Sequence, residues 1–589
     1  MRHPNLRAYL ETLTREGELH RVEEPVDPHL ELAEIHRRVV ARQGPALLFT
    51  RVARTAYPVV TNLFGTRRRI DLAFGEDPLR FFSRLTEAAQ SVLQPSLAGI
   101  WNYRDLIGTA LRVGTKSTAS GPVIEKRVTP PRLKLLPQIQ CWPRDGGPFL
   151  TLPVTYTEHP VTGRANLGMY RNQIYDDTTA GMHFQIHRGI GFHYYEAERI
   201  GSPLPANVFL GGPPALMLSA IAPLPENVPE VMLASLLQGG RLSLIRNPRI
   251  SALPLVAEAD FALIGKIPPQ ARRTEGPFGD HYGYYSLEHP FPVFEVEDIY
   301  HRKDAVFPAT VVGRPRQEDH YIGEYLQELF SPLFPLVMNG VVSVWAYDDA
   351  GVHTLASAIV RERYRREAFM AAMRILGEGQ LSLTKFLMVT DGRVPLKDFR
   401  TVLVHILERA DFATDLFVFS NVSQDTLDYT SGILNEGSKA ILMGLGEKRY
   451  QLTTQVSTEL HSPIFRRQAC FAPGVLVVEG PPWHDGDTAI ADLVREDAVR
   501  AFRLICLVDD AADCTRDDPS FLWTVFTRFE PAADICARES RLDRFHVNLS
   551  APLVLDCRLK PWYPPPVEPL PETVARVDVL WPKIFARGF

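Results

Sequence analysis

The sequence predicts a multidomain α/β protein, α+β when the chain is taken as a whole: an N-terminal α/β segment, a mostly β, barrel-like middle, and a C-terminal α/β region. Three observations carry this. Helix and strand signals alternate through the first hundred residues, and short Val- and Ile-rich segments separated by Gly and Pro fill about 120 to 310. Beyond about 320 the alternation of helix and strand resumes. A chain of 589 residues also needs more than one core, because single cores rarely grow past roughly 250 to 300 residues.

The elements follow in order. Leu6, Tyr9, Leu10 and Leu13 recur at helical spacing between a cap, Asn5, and a stop, Gly17. A second helix is expected to take Asp27 as N-cap and Pro28 as its first residue, to line up Leu32, Ile35 and Val39, and to end near Gly44. "PALLFTRV" then reads as a strand, as do "PVFEVEDIY" and "VFPATVVG" in the middle region. Further on, "RERYRREAFMAAMRILGEG" reads as a helix and "KFLMVTD" as a buried strand. Residues 385 to 415 and 503 to 534 share one layout: a basic residue, a strand ending in Asp (Asp391, Asp509), a helix, then R-x-[DE]-x-A-x-D at Arg409 to Asp415 and Arg528 to Asp534. Two copies are too few for a solenoid, so a duplicated or divided module is expected. The expected domains are 1–115, 116–318, 319–480 for a first C-terminal module, and 481–589 for a second module with a tail that serves oligomerisation.

Composition excludes several functions. Apolar content of 45%, charged content of 23% and a formal net charge of -5 fit an ordinary soluble protein without the basic surplus of a nucleic-acid binder, so a small ligand is expected. The six cysteines form no CxxC pair, which argues against a zinc site or disulfide framework and fits a reducing cytoplasm. The N-terminus lacks the apolar region of a signal peptide, and no uncharged run reaches the roughly 18 residues needed to span a membrane. The longest candidate, "SPLFPLVMNGVVSVWAY", is broken by Pro335, Asn339 and Gly340.

The chemistry-bearing residues cluster in the middle. "EGPFGDHYGYYS" holds Glu275 and Asp280 in a stretch too rich in Gly and Pro for a helix. A helix would splay them by roughly 140°, whereas a loop can aim both inward, and two carboxylates in different environments can divide acid and base roles. A solvated turn is the plain alternative. "NLGMYRNQIY" supplies Arg171, a forked cation for Glu275, for a substrate carboxylate, or for a surface ion pair. "GMHFQIHRGIGFHYY" holds His183 and His187 four apart without the glutamate of a zinc protease, and "PENVPEVMLASLLQGG" opens a helix at Pro229 and Glu230, where an acid also suits the helix dipole. Should Asn166, one of these histidines and Glu230 converge, their oxygen and nitrogen donors suit Mn²⁺ or Mg²⁺ bridging a phosphate, and hence a phosphorylated cofactor.

Together "NLGMYR", "MHFQIHRG", "LPENVPE" and "EGPFGDHYGYY" resemble, in order and spacing, the motifs of the UbiD family of decarboxylases, and the resemblance runs on to "LDCRLKPWYP". It implies a split β-barrel domain that binds prenylated FMN, a cofactor made by a flavin prenyltransferase, with Mn²⁺ and K⁺ tying the phosphate to the protein. It implies Asn166, His187 and Glu230 as metal ligands, with His183 the rival for the imidazole position. It implies Met169, Tyr170, Arg171, His183, Phe184, Gln185, Arg188 and Gly189 as cofactor contacts. Arg361 stands where the family's cofactor-contacting Lys is sought. The catalytic trio would be Arg171, Glu275 and Asp280, with Asp280 protonating the carbon that has lost CO₂ from an aromatic or α,β-unsaturated acid. Such an acid is expected to have a pKa raised by burial. The family's compact C-terminal ending looks split between "EGSKAILMGLG" and "LDCRLKPWYPPP". Family members assemble as homodimers or homohexamers. The reverse carboxylation, a role within a larger carboxylase assembly, and a non-catalytic flavin-binding or assembly protein are the other readings.

Overall fold

The computed structural model describes residues 2–91, 102–184, 189–224, 228–314, 316–456, 460 and 462–586. The chain forms two compact units, Met1–Leu329 with Pro564–Phe589, and Phe330–Tyr563. Both mix helices with sheets.

The first unit begins as its apolar spacing dictates. The helix Leu6–Arg15 buries Leu6, Tyr9, Leu10 and Leu13, and the Asn5 side chain accepts from the Ala8 N–H at 3.0 Å, the expected cap. The second helix differs from expectation. It runs Glu31–Ala41 with Leu30 at φ 68° before it, because Asp27 turns its side chain to the His29 N–H instead. A four-stranded sheet follows the order Leu19–Val22, Ala46–Phe49, Val59–Thr61, Phe307–Pro308.

The middle of the chain builds a ten-stranded sheet, antiparallel throughout. Its organiser is the strand His289–His301, which pairs with Arg272–Glu275 and Phe261–Ile267 on one side, and with Thr179–Met182 and Lys126–Val128 on the other. Among the described residues the ladder does not close into a barrel. The path ends at Ala165–Met169, while Asn172–Ile174 lies next to its opposite end. Only Tyr170 and Arg171 separate those strands in sequence, so the two ends of the sheet lie within about 11 Å of each other, the reach of three extended residues. The sheet therefore curls and is sewn shut covalently, and Arg171 sits on the seam.

In the second unit, two five-stranded sheets repeat one topology. The first runs Val341–Ala346, Leu355–Val360, Phe386–Thr390, Glu436–Gly444, Leu416–Ser423; the second runs Gln468–Ala472, Val475–Glu479, Leu504–Val508, Leu553–Asp556, Ile535–Ala537. Each is antiparallel, parallel, parallel, antiparallel in that order. The repeated motif residues do the same work in both. Asp391 accepts from the Gly446 N–H and Asp509 from the Leu559 N–H, each tying the end of the third strand to the chain leaving the fourth. Asp415 and Asp534 each accept from the N–H four residues earlier, at 3.0 and 2.7 Å. Helices Phe399–Leu407 and Asp518–Phe526 share one core between the copies, where the Phe471 and Phe521 rings stack at 3.7 Å. The helix expected across "RERYRREAFMAAMRILGEG" is shorter, Glu367–Ile375, because Arg366 takes φ 70° ahead of it. In the long apolar stretch, Leu336 and Val337 are partly exposed, and among the described residues no helix is long and apolar enough to cross a membrane.

Candidate active site

Arg171, Glu275 and Asp280 meet in the first unit. Arg171 Nε donates to Glu275 Oε1 at 2.7 Å and Nη2 to Oε2 at 3.1 Å, a forked pairing, while Nη1 donates to Asp280 Oδ2. Nη2 also reaches Ser286 Oγ at 3.1 Å, and the guanidinium carbon lies 4.6 Å from the centre of the Phe278 ring. The side chains of Arg171, Glu275 and Asp280 are 9%, 0% and 10% exposed, so one cation serves two buried acids.

Local structure explains the geometry. Glu275 ends the strand Arg272–Glu275, opposite His289, and Asp280 follows in a loop that the backbone folds on itself. The Asp280 N–H donates to the Tyr284 carbonyl and the Ser286 N–H to that of Phe278. Asp145, far upstream, anchors the loop: it accepts from the Gly279 N–H at 2.8 Å with one oxygen and from the Cys141 and Trp142 N–H groups with the other. Gln173 Oε1 accepts from the Gly276 N–H at 2.8 Å. Gly279 must be glycine, since a Cβ would stand 2.1 Å from the Trp142 ring. Tyr282, Tyr284 and Tyr285 are buried around the loop.

The electrostatics correct one expectation. Burial pushes the Asp280 carboxyl up, but Arg171 and then His281 more than offset it and hold the group well below the usual carboxylate range. His281 Nδ1 lies 2.8 Å from Asp280 Oδ1, and the His281 N–H donates to the same oxygen. Asp280 is thus an ionised carboxylate in this arrangement, not an acid with a raised pKa. Burial likewise raises Glu275, yet Arg171 and His183 bring it down to about 2 from an ordinary 4.5. Its folded-state value lies below its unfolded one, so its contribution to stability is complete above pH 4.5 and is lost as the pH falls toward about 2. In acid unfolding followed by circular dichroism, Glu275→Gln is expected to flatten the loss of stability across that window; equal slopes for the two proteins would contradict the pairing.

The remaining candidates divide. Asn166 lies on the strand Ala165–Met169, and Glu230 opens the helix Glu230–Gln238 behind Pro229. Glu230 reaches the same strand one residue on, its Oε2 accepting from the Leu167 N–H at 3.1 Å. Burial raises the Glu230 carboxyl, and no cation among the described residues pairs with it. Gly189, first residue of the helix Gly189–Ile200, lies so close to Asn166 that a Cβ there would stand 2.0 Å from its Oδ1. A neutral amide oxygen and a partly buried carboxylate without a counter-cation, reaching one strand at adjacent residues, are donors suited to a hard divalent ion. Among the described residues, however, no three His, Cys, Asp or Glu side chains group as metal ligands. His187 lies outside the described residues, as do Gln185 and Arg188. His183 follows the strand Thr179–Met182 and places Nδ1 3.3 Å from Glu275 Oε2, so it joins the acid pair. Met169 ends its strand, Tyr170 adjoins it on the seam, and the Phe184 ring packs edge-on against Tyr170. Arg361 is exposed in the second unit, its N–H bonded to the Gly340 carbonyl.

Known proteins are similar to this chain in sequence and fold. Residues 10–89, 115–315 and 320–444 match the N-terminal, Rift-related and C-terminal domains of 3-octaprenyl-4-hydroxybenzoate carboxy-lyase. A Chlamydia pneumoniae protein, named as one of the subunits of a 4-hydroxybenzoate decarboxylase, is 46% identical over 581 residues, 98% of each chain. An uncharacterized protein of Chlamydia trachomatis is 45% identical over 584 residues, 99% of this chain and all of that one. Among solved structures, vanillic acid decarboxylase of Sedimentibacter hydroxybenzoicus superposes with a TM-score of 0.67 at 23% identity, over 78% of this chain and 96% of its own. The UbiD-class enzyme HmfF of Pelotomaculum thermopropionicum, solved with FMN, gives 0.60 at 25% identity over 75% and 94%. With three domains matched in order and near-full-length relatives at this identity, the chain belongs to the UbiD family of carboxy-lyases.

Proposed function

We propose that this protein is a reversible, non-oxidative decarboxylase of an aromatic or α,β-unsaturated carboxylic acid that works with prenylated FMN, Mn²⁺ and K⁺. The observation that carries the reading is the single buried guanidinium of Arg171 held between Glu275 and Asp280. HmfF, solved with FMN, supports the cofactor class. Asn166, Glu230 and His187 would hold the metal; Met169, Tyr170, Arg171, His183, Phe184, Gln185, Arg188 and Gly189 would line the flavin.

Prenylated FMN, when bound, supplies the electron sink that loss of CO₂ from an sp² carbon requires. The protein's part is positioning and proton movement. Glu275, gripped by two nitrogens of Arg171, fixes the guanidinium plane. The Nη1 side of Arg171 then faces a choice between Asp280 and an incoming substrate carboxylate. When the substrate takes it, Asp280 Oδ2 loses its cation, burial dominates, and the group gains a proton that it delivers to the carbon left by CO₂. His281, partly exposed and hydrogen-bonded to the other Asp280 oxygen, connects that carboxylate to solvent. Tyr282, Tyr284 and Tyr285 keep bulk water from the proton path.

The test is co-expression with a flavin prenyltransferase, the proposed cofactor supplier, followed by the absorption spectrum of the purified protein and CO₂ release across a panel of aromatic and unsaturated acids. Modified flavin without turnover, and without hydrogen–deuterium exchange at the substrate carbon, would favour a binding or assembly protein. Glu230→Gln is expected to strip Mn²⁺, read by metal analysis, and to weaken flavin retention; full occupancy in the variant would remove Glu230 from the ligand set.

A second reading has a specific support. The Chlamydia pneumoniae relative is named as part of a multi-subunit enzyme, which favours this chain as the catalytic member of a larger decarboxylase or carboxylase. We place it in the cytoplasm as a homodimer or homohexamer, consistent with six free cysteines. Light scattering on the purified chain separates a homo-oligomer from a chain that needs a different partner.

A further inference from the structure

The two copies of the duplicated module differ at one buried charge. In the first copy Lys385 precedes the third strand, and its carbonyl accepts from the Ala440 N–H at 2.8 Å. Its ammonium, 1% exposed, meets the Asp428 carboxylate at 2.9 Å. In the second copy Arg503 holds the same backbone position, its carbonyl accepting from the Leu553 N–H at 2.9 Å. Arg503 is nine-tenths buried but has no carboxylate within ion-pairing range among the described residues. Its Nη2 donates to the Ala410 carbonyl at 2.6 Å, and Nε is buried without a partner. Its guanidinium carbon lies 3.6 Å from the centre of the Tyr450 ring and 4.6 Å from that of Phe412.

The cause of the difference is topological. Asp428 comes from the connection between the strands Leu416–Ser423 and Glu436–Gly444 of the first copy. The matching connection in the second copy is instead a hairpin, Ser540–Asp543 with His546–Leu549. Beside Arg503 the second copy has a cavity of about 470 Å³ lined also by Tyr450, Asp411, Glu539, Arg541 and Ser550 among others, with neither acid within ion-pairing range of Arg503. Arg541 is exposed and makes no ion pair among the described residues. A buried guanidinium without an anion is costly, and removing the partner of such a charge is strongly destabilising in general. The first copy meets that cost with Asp428 of the same module.

We propose that the cavity beside Arg503 is a binding site for a small organic monocarboxylate, which takes the place that Asp428 fills in the first copy. Nη1 of Arg503, apart from the bonded Nη2 and the buried Nε, is left to donate to a carboxylate, and Arg541 lines the same cavity to share it. Asp411 and Glu539 in the wall disfavour a doubly charged phosphate and leave acceptors for hydroxyl or amino groups on the ligand. The site lies wholly within Phe330–Tyr563 and uses none of the decarboxylation residues.

Methylselenoacetate, a small monocarboxylate without a leaving group, is the probe. Crystals of the full-length protein soaked with it should show anomalous selenium density in this cavity, with the carboxylate against Arg503. In solution, Arg541→Ala and Arg503→Gln should each weaken methylselenoacetate affinity by about ten- to hundredfold, the range for a hydrogen-bonded charge. Arg541 is on the surface, so its variant keeps the test valid if the Arg503 variant fails to fold. No selenium in the cavity, or unchanged affinity in Arg541→Ala, would overturn the proposal. Inorganic phosphate displacing methylselenoacetate from the cavity would overturn the ligand class.

Discussion

Asp280→Asn is expected to lower kcat by about a hundred- to ten-thousandfold, the range that general acid–base groups contribute, while the protein keeps its flavin and metal. Arg171 and the His281 N–H donate to different Asp280 oxygens, so the single amide oxygen keeps one of these two bonds while the side chain keeps its size and shape, and the loop should hold. What disappears is the proton. The measurement is steady-state turnover on an acid identified from the panel, with flavin absorbance and metal content measured on the same sample. An unchanged kcat would assign proton delivery elsewhere, and a loss of cofactor along with activity would make Asp280 a structural residue.

The largest expected effect on stability belongs to Arg171. Arg171→Met leaves Glu275 and Asp280 as neighbouring buried carboxylates without their shared cation, a change of about 3–5 kcal/mol by analogy with other broken buried pairs. The pH dependence should also reverse. With Arg171 present, Glu275 is depressed and stability is lost on acidification. Without it, burial raises both carboxyls above their unfolded values, so stability is present at low pH and lost as the pH rises through the raised values. Denaturant midpoints at pH 5 and pH 8 check this: the variant should be the more stable at pH 5. Greater stability at pH 8 would mean that another cation neutralises the acids.

Sequence revealed the local features and missed those that depend on distant partners. The Asn5 cap and the Leu6, Tyr9, Leu10, Leu13 stripe were legible because a helix start and a helical face are written within a few residues. Asp27 looked equally like a cap, but the backbone at Leu30 took a positive φ and moved the helix start, a choice made by the tertiary setting. The duplication was legible because Asp391 and Asp509, and Asp415 and Asp534, hold backbone groups a few residues from strand ends in both copies. At the site, Arg171, Glu275 and Asp280 stood out by residue type. Asp145 and Gln173 did not: each supports the Glu275–Ser286 loop from more than a hundred residues upstream, and nothing near either in sequence marks that contact. Ser286 closes the Glu275–Ser286 stretch, and its hydroxyl has a role only through Arg171, which is distant in sequence.

The strand His289–His301 has a consequence for how this protein comes off the ribosome. Among the described residues it is the last of the ten strands to be made, and it alone joins Phe149–Leu150, Asn172–Ile174 and Thr179–Met182 to the group containing Phe261–Ile267, Leu204–Leu210, Val154–Glu158 and Ala165–Met169. A nascent chain that stops at residue 288 carries every acid and base of the trio but holds two separate ladders, each with an unpaired edge facing the missing strand. Non-local pairing of this kind is slow to form and exposed to aggregation while it waits. The architecture that buries one arginine between two acids therefore defers the whole site to a late moment in synthesis, and it makes the thirteen residues of that strand the most sensitive stretch for recombinant yield.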